Sequence, residues 1–256
     1  MLGAIAGDII GSIYEARPIK TKEFSLFERR SRFTDDSVLS IAVARAILHG
    51  EDYRSAVWSL GRRYPDAGYG GSFIGWLGDD NPEPYGSFGN GSAMRVAPVG
   101  FAFDDPATVL HEAERQAAIS HDHPEGIKGA QAVALAVLLA RTTGDREGIR
   151  TQIEHRFDYD LQRTVDDIRP GYAFDVTCQG SVPEAIVAFL DSTSYEDAVR
   201  NAISLGGDSD TQACMAGGIA EAFYGLPADI AAQARARLTE ELRAIVDEFT
   251  ARFCAE

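Results

Sequence analysis

Apolar positions along this chain recur at helical spacing. After Thr34-Asp35-Asp36-Ser37 come Val38, Leu39, Ile41, Ala42 and Val43; after Gly206-Gly207-Asp208-Ser209-Asp210-Thr211 come Ala213, Met215, Ala216, Ile219 and Ala220. The pattern predicts helices over residues 35–48, stopped by His49-Gly50, over 53–64, closed by Pro65, and over 106–119. Further helices are predicted over 125–141, over 182–190 with Pro183 in the first turn, and over 195–204, 211–224 and 228–253, with a polar amphipathic stretch over 145–165. The 125–141 segment is apolar nearly all round, which marks it as the central buried helix. No alternating strand pattern emerges, so the expected fold is all-α.

The N-terminal segment adds a second pattern. Gly3, Gly7 and Gly11 recur every four residues and would form a flat stripe for close helix packing. Asp8 lies within this apolar run, where a buried acid would accept backbone amides and pin a neighbouring loop. Glu15 falls at or beyond the helix end, where the dipole does not favour an acid, so a ligand or substrate role competes with an ion pair to Arg17 or Lys20. Residues 18–32 read as a loop that covers a site, and residues 68–91 as a long glycine-rich stretch.

Composition narrows the function. A formal net charge of -15 over 256 residues argues against stable binding to nucleic acid or to an anionic membrane, while a bound metal ion would still let a small anion in. Three widely spaced cysteines point to a reducing cytoplasm without disulfides or a zinc site. The N-terminus lacks the basic region of a signal peptide, and no apolar run is long enough to span a bilayer. With no linker or internal repeat, a single domain over residues 1–256, acting as a monomer, is expected.

The two acidic clusters admit two readings. Asp, Ser and Thr are favoured helix caps, and acids at a helix start suit its dipole. A cap, however, needs one side-chain oxygen, whereas two carboxylates and a hydroxyl crowd each of these starts. If the clusters meet, their mutual repulsion calls for a hard divalent cation among oxygen ligands. The string Gly89-Asn90-Gly91-Ser92-Ala93-Met94-Arg95 is neither a Walker A loop nor a dinucleotide fingerprint, but such a stretch can cradle phosphate on backbone amides as well as simply turn. His121 and His123 lack a third nitrogen or sulfur partner nearby, so a ligand-contacting loop histidine is favoured over a transition-metal site.

Taken in order, Gly7-Asp8 with Gly11 and Glu15, Thr34-Asp35-Asp36-Ser37, the Gly89-to-Arg95 string, Ser120-His121 and Gly206-to-Thr211 resemble the ADP-ribosylglycohydrolase family. The resemblance runs over essentially the whole chain. It implies a compact orthogonal multi-helix bundle with two divalent cations, Mg²⁺ or Mn²⁺, between the acidic clusters. By motif match, Thr34, Asp35, Asp36, Asp208, Asp210 and Thr211 are the implied metal ligands, and Glu15 matches an acid over the metal site that helps position the scissile bond. Glu15, Asp35 and Asp36 are the implied catalytic carboxylates. Gly89, Asn90, Gly91, Ser92 and Met94 match the pyrophosphate and ribose cradle, His121 falls beside the distal ribose, and Tyr172 is assigned to adenine stacking by extrapolation. Ser209 stands where threonine is common. The implied reaction is hydrolysis of the N- or O-glycosidic bond between ADP-ribose and a protein, nucleic-acid or small-molecule acceptor, through an oxocarbenium-like transition state. A binding module for ADP-ribose without turnover, and a structural protein in which both clusters are caps, are the alternatives.

Overall fold

The computed structural model describes residues 1–254. Among them every regular element is a helix, and one isolated backbone bridge joins Gly89 to Thr177. In chain order the helices are α1 (Leu2–Gly11), α2 (Asp35–His49), α3 (Tyr53–Gly61), α4 (Gly71–Gly78) and the single turn α5 (Gly91–Met94). Then follow α6 (Ala97–Ala102), α7 (Pro106–Ala117), α8 (Pro124–Thr143), α9 (Arg146–Phe157) and the short α10 (Val165–Ile168). The last five are α11 (Cys178–Leu190), α12 (Tyr195–Ser204), α13 (Ser209–Tyr224), α14 (Ala228–Arg237) and α15 (Glu240–Phe253).

The most extensive packing is between α1 and α13, and the glycine stripe is its cause. A Cβ at Gly7 would lie 2.0 Å from the Ala213 carbonyl oxygen, and one at Gly11 would lie 2.5 Å from the Asp210 Cα. Only glycine lets the two backbones approach so closely. The helix that opens with the second acidic cluster is thereby held directly against the N-terminal helix. As its composition predicts, α8 is central: it packs on α5, α6, α7, α9, α11 and α13 and is buried from Ala132 to Ala140.

Four expectations need correction. The segment over 228–253 is two helices, broken at Leu238, because Thr239 caps a new start by accepting from the Leu242 amide and Glu240 and Glu241 fill its first turn. Helix α11 begins at Cys178 rather than 182, capped by Thr177, so Pro183 lies inside it. The glycine-rich stretch contains α4, whose Phe73, Trp76 and Leu77 are buried. Finally, the loop over 18–32 packs on the far side of the second cluster instead of lining a cavity: Lys20 donates to the carbonyls of Arg169, Tyr172 and Leu205, and Arg200 donates to those of Lys22 and Phe24. No described helix is long and apolar enough to cross a membrane.

Candidate active site

Elsewhere in the described residues, a helix preceded by Asp, Ser or Thr is capped by that side chain. Asp52 accepts from the Ser55 amide, Asp105 from Thr108, Asp145 from Gly148, and Ser194 from Asp197. The two acidic starts differ: neither Thr34 on α2 nor Asp208 on α13 makes a capping bond. The first turn of α2 is held instead by Asp8, from α1, whose carboxylate accepts from the Thr34 amide at 3.0 Å, the Ser37 amide at 3.2 Å, Thr34 Oγ1 at 2.6 Å and Ser37 Oγ. One buried acid takes over the capping of α2, so Asp35 and Asp36 are left for another task, while on α13 Asp208 accepts from Asn90 instead of from its own helix.

The clusters meet. Thr211 Oγ1 donates to Asp36 Oδ2 at 3.4 Å, and carboxylate oxygens of Asp8, Asp36 and Asp210 lie within 4.8 Å of one another, as do those of Glu15, Asp208 and Asp210. The charges acting most on Asp36 and Asp210 come from Asp8, Asp35, Asp208 and Glu15, all of one sign. Burial, then that repulsion, pushes Asp36 and Asp210 well above the usual carboxylate range and Asp35 up to about 8. Burial likewise lifts Asp8 to about 6 against its four hydrogen bonds, and desolvation followed by Asp208 raises Glu15. Asp36 Oδ1 is buried with no hydrogen-bond partner. An orphaned, wholly buried carboxylate oxygen among like charges is what a hard divalent cation would satisfy, and an all-oxygen donor set suits Mg²⁺ or Mn²⁺ better than a softer metal. The acidic cluster therefore fits a metal centre.

A cavity of about 410 Å³ opens on these carboxylates. Glu15, Asp35, Asp36, Asp208, Asp210 and Thr211 line it together with Gly89, Asn90, Gly91, Met94, Arg95 and His121. The glycine loop is fixed from two sides. Asn90 Nδ2 donates to Asp208 Oδ2 at 2.8 Å, and the loop is clasped to the strand-like segment before α11 by Asn90 N to Val176 O at 2.8 Å and Cys178 N to Phe88 O at 2.9 Å. His121 Nε2 faces Gly91, where a Cβ would come within 3.0 Å of it.

Three side chains expected at the site do not line the cavity. Thr34 is buried beneath the cluster on Asp8, and Ser92 Oγ is turned away to donate to the Gly126 carbonyl at 2.7 Å. Tyr172 lies behind the Gly206-Gly207 turn, its hydroxyl donating to the Gly180 carbonyl and accepting from Gln212 Nε2, so its ring is not offered to the cavity. The cavity lining has three aromatics, Phe73, Tyr85 and Phe174; Phe174, two residues on from Tyr172, is 55% exposed, and Val176 also lines the cavity. The exposure of Phe174, with no helical periodicity around it, carried no sequence signal beyond the run Tyr172-Ala173-Phe174 itself. Arg95, quoted only as part of a motif, also reaches the cavity.

Comparison with known proteins points to one family. The ADP-ribosylglycohydrolase family model matches residues 1–256. The human ADP-ribosylhydrolase ARH3 is 28% identical over 306 residues, covering 88% of this chain and 84% of that one, and its Xenopus tropicalis counterpart is 28% identical over 304 residues, covering 88% and 86%. An ADP-ribosylarginine hydrolase of Pseudomonas putida (strain GB-1) is 28% identical over 207 residues, 75% of this chain and 53% of that one. Among solved structures, an ADP-ribosylglycohydrolase-related protein complex superposes with a TM-score of 0.70 at 22% identity over 98% of this chain and 96% of that one, a likeness of fold. With its residues 1–256 matched by the family model, this chain belongs to the ADP-ribosylglycohydrolase family.

Proposed function

We propose that this protein is a metal-dependent hydrolase that cleaves the glycosidic bond between ADP-ribose and an acceptor. The observation that carries the reading is a single cavity lined both by a cluster of buried like-charged carboxylates and by a glycine loop with Arg95 and His121. Asp35, Asp36, Asp208, Asp210 and Thr211 would hold one or two divalent cations, with Thr34 turned toward them from below. When bound, such cations supply charge to fix the vicinal hydroxyls of a ribose and to acidify a bound water.

The chain's own residues do the rest. The Gly89–Gly91 backbone leaves room for a pyrophosphate, because a side chain at Gly91 would meet His121. Arg95 behind the loop adds a buried positive charge that favours an anion there. Phe174, exposed on the wall, offers a face on which adenine stacks. Glu15, beside Asp208 and with its proton affinity raised by burial and then by that neighbour, is placed to exchange a proton with the leaving acceptor, and Asp35 or Asp36 to take one from water.

Titration calorimetry of ADP-ribose into metal-stripped protein, with and without Mg²⁺ or Mn²⁺, is paired with release of ADP-ribose from arginine-, serine- and nucleobase-linked substrates. Metal-dependent binding with release from one substrate class is the expected result and names the acceptor. Binding without release from any member would favour a reader of ADP-ribose, and no binding under any metal condition would overturn the reading.

A further inference from the structure

Behind the glycine loop runs a set of polar side chains whose hydrogen bonds can be followed donor by donor. Arg95 is wholly buried, and the recorded partners of its guanidinium are all neutral. Its Nε donates to Gln116 Oε1 at 2.8 Å, and its Nη2 donates to the Gln116 carbonyl at 2.8 Å and to Ser120 Oγ at 3.0 Å. Gln116 is fixed in that orientation because its Nε2 donates to the carbonyls of Ser92 and Ala113. Ser120 Oγ lies 2.8 Å from His121 Nδ1, and His121 Nε2 is the ring nitrogen that faces Gly89 and Gly91.

The direction of each bond follows. A guanidinium cannot accept, so Ser120 Oγ accepts from Arg95. Ser120 is 0% exposed, and the acceptor its one hydroxyl hydrogen meets among the described residues is His121 Nδ1. Leaving that hydrogen without a partner would cost the desolvation of a buried donor. Nδ1 is thus the accepting nitrogen, and a neutral imidazole that accepts at Nδ1 carries its single proton on Nε2. Burial, then the Arg95 charge, also holds the ring well below the usual histidine range, so the doubly protonated form is disfavoured.

We propose that Arg95 and Ser120 are positioning residues that lock His121 as a neutral imidazole and present its Nε2–H as a donor to a substrate oxygen at the Gly89–Gly91 loop, which bars His121 from serving as the base. The nature of that substrate rests on the ADP-ribose reading above; the tautomer is a property of the free protein. With the Nδ1 lone pair engaged by Ser120 and Nε2 protonated, the ring has no free lone pair to receive a proton from water, so the proton-accepting role falls to the carboxylates that line the cavity.

The test is two-bond ¹⁵N–¹H correlation of histidine-labelled, full-length protein between about pH 6 and pH 8. His121 is expected to give the Nε2–H pattern throughout. Ser120→Ala should convert it to a mixture of tautomers and weaken ADP-ribose binding to the metal-loaded protein about tenfold, the loss of one oriented hydrogen bond. Ser120→Cys, nearly isosteric with a poor donor, is read in the same way if the alanine variant does not fold. An Nδ1–H or imidazolium pattern in the unaltered protein, or a tautomer that neither substitution disturbs, would overturn the lock. Titration with ADP and with ADP-ribose separates the possible oxygens. A Nε2–H shift with both assigns a phosphate oxygen, and one with ADP-ribose alone assigns the distal ribose. The expected tautomer with no response to either ligand would overturn the substrate assignment while the lock itself stood.

Discussion

In the cavity wall Asp36 and Asp210 are buried among Asp8, Asp35, Asp208 and Glu15, whereas Arg95 is buried against Gln116 and Ser120 with no acid among its hydrogen-bond partners. Each group is unbalanced when considered alone, and a fold selected only for stability would have paired or removed both. The difference is instructive because the imbalances are opposite and the glycine loop meets the acids through Asn90, which donates to Asp208. The acidic group is complementary to cations and the basic group to an anion. A ligand that carries a diphosphate and a ribose, with metal ions to hold the ribose, meets both requirements at once.

The sharpest way to break the contrast is to remove a shared acid. Asp210→Ala should lower kcat/KM by about 10³-fold or more, as expected when several kcal/mol of cation-borne charge stabilisation is lost, and calorimetry should find metal affinity lost with it. A variant that kept its metal and its activity would reduce the cluster to a structural feature. Next in size is Gly7→Ala. Its Cβ would lie 2.0 Å from the Ala213 oxygen, so α1 and α13 must separate. A loss of about 3 kcal/mol in urea denaturation is expected, with weaker metal binding because Asp8 and Asp210 ride on those two helices.

The pH dependence of the metal-free protein probes the acidic cluster without altering it. Asp8 and Asp35 release their protons at about 6 and about 8 in the folded chain, against an ordinary value of 3.8. Between those values the folded state binds more protons than the unfolded one, so stability contributed by these groups is full in acid and is lost as pH rises toward about 8. Denaturation midpoints should therefore fall from about pH 5 to about pH 8 without metal, and saturating Mg²⁺ or Mn²⁺ should remove the fall. A flat metal-free profile would mean that the carboxylates do not repel as their burial implies. The smallest effects separate two aromatics. Phe174→Ala should weaken ADP-ribose binding by about 1–3 kcal/mol with stability unchanged, whereas Tyr172→Phe should cost about 1 kcal/mol of stability through its lost hydroxyl bonds with binding unchanged. The reverse result would return the adenine to Tyr172.

Much of the fold was legible because its strongest signals are local. The glycine stripe forecast a close helix contact, and the apolar run at 130–140 forecast the central helix. Caps such as Thr177 and Thr239 were equally local and mark the true starts of α11 and α15, but the continuing apolar or charged periodicity on either side masked them. Helix α4 was hidden by Gly70, Gly71, Gly75 and Gly78, which lower helix propensity although Phe73, Trp76 and Leu77 recur at helical spacing. At the site, the residue types at Asp35, Asp36, Asp208 and Asp210 declared themselves, while their convergence rested on a family resemblance until the α1–α13 contact supplied a physical reason. What sequence could not supply was direction: that Ser92 and Tyr172 turn away from the cavity and Phe174 and Arg95 toward it depends on packing between distant segments.

The backbone clasp between residues 88–90 and 176–178 has a consequence for how such a protein can diversify. Two amide hydrogen bonds, which together form the bridge between Gly89 and Thr177, tie the glycine loop to the segment that carries Phe174 and Val176. An insertion on either side of the clasp would slide one partner past the other and misplace the glycine loop and Phe174 together. The stretch from Gly78 to Tyr85 has no such tie to the acidic cluster and borders the same cavity through Tyr85. A change of length between Gly78 and Tyr85 would leave the clasp intact, whereas the clasped pair can move only as one unit.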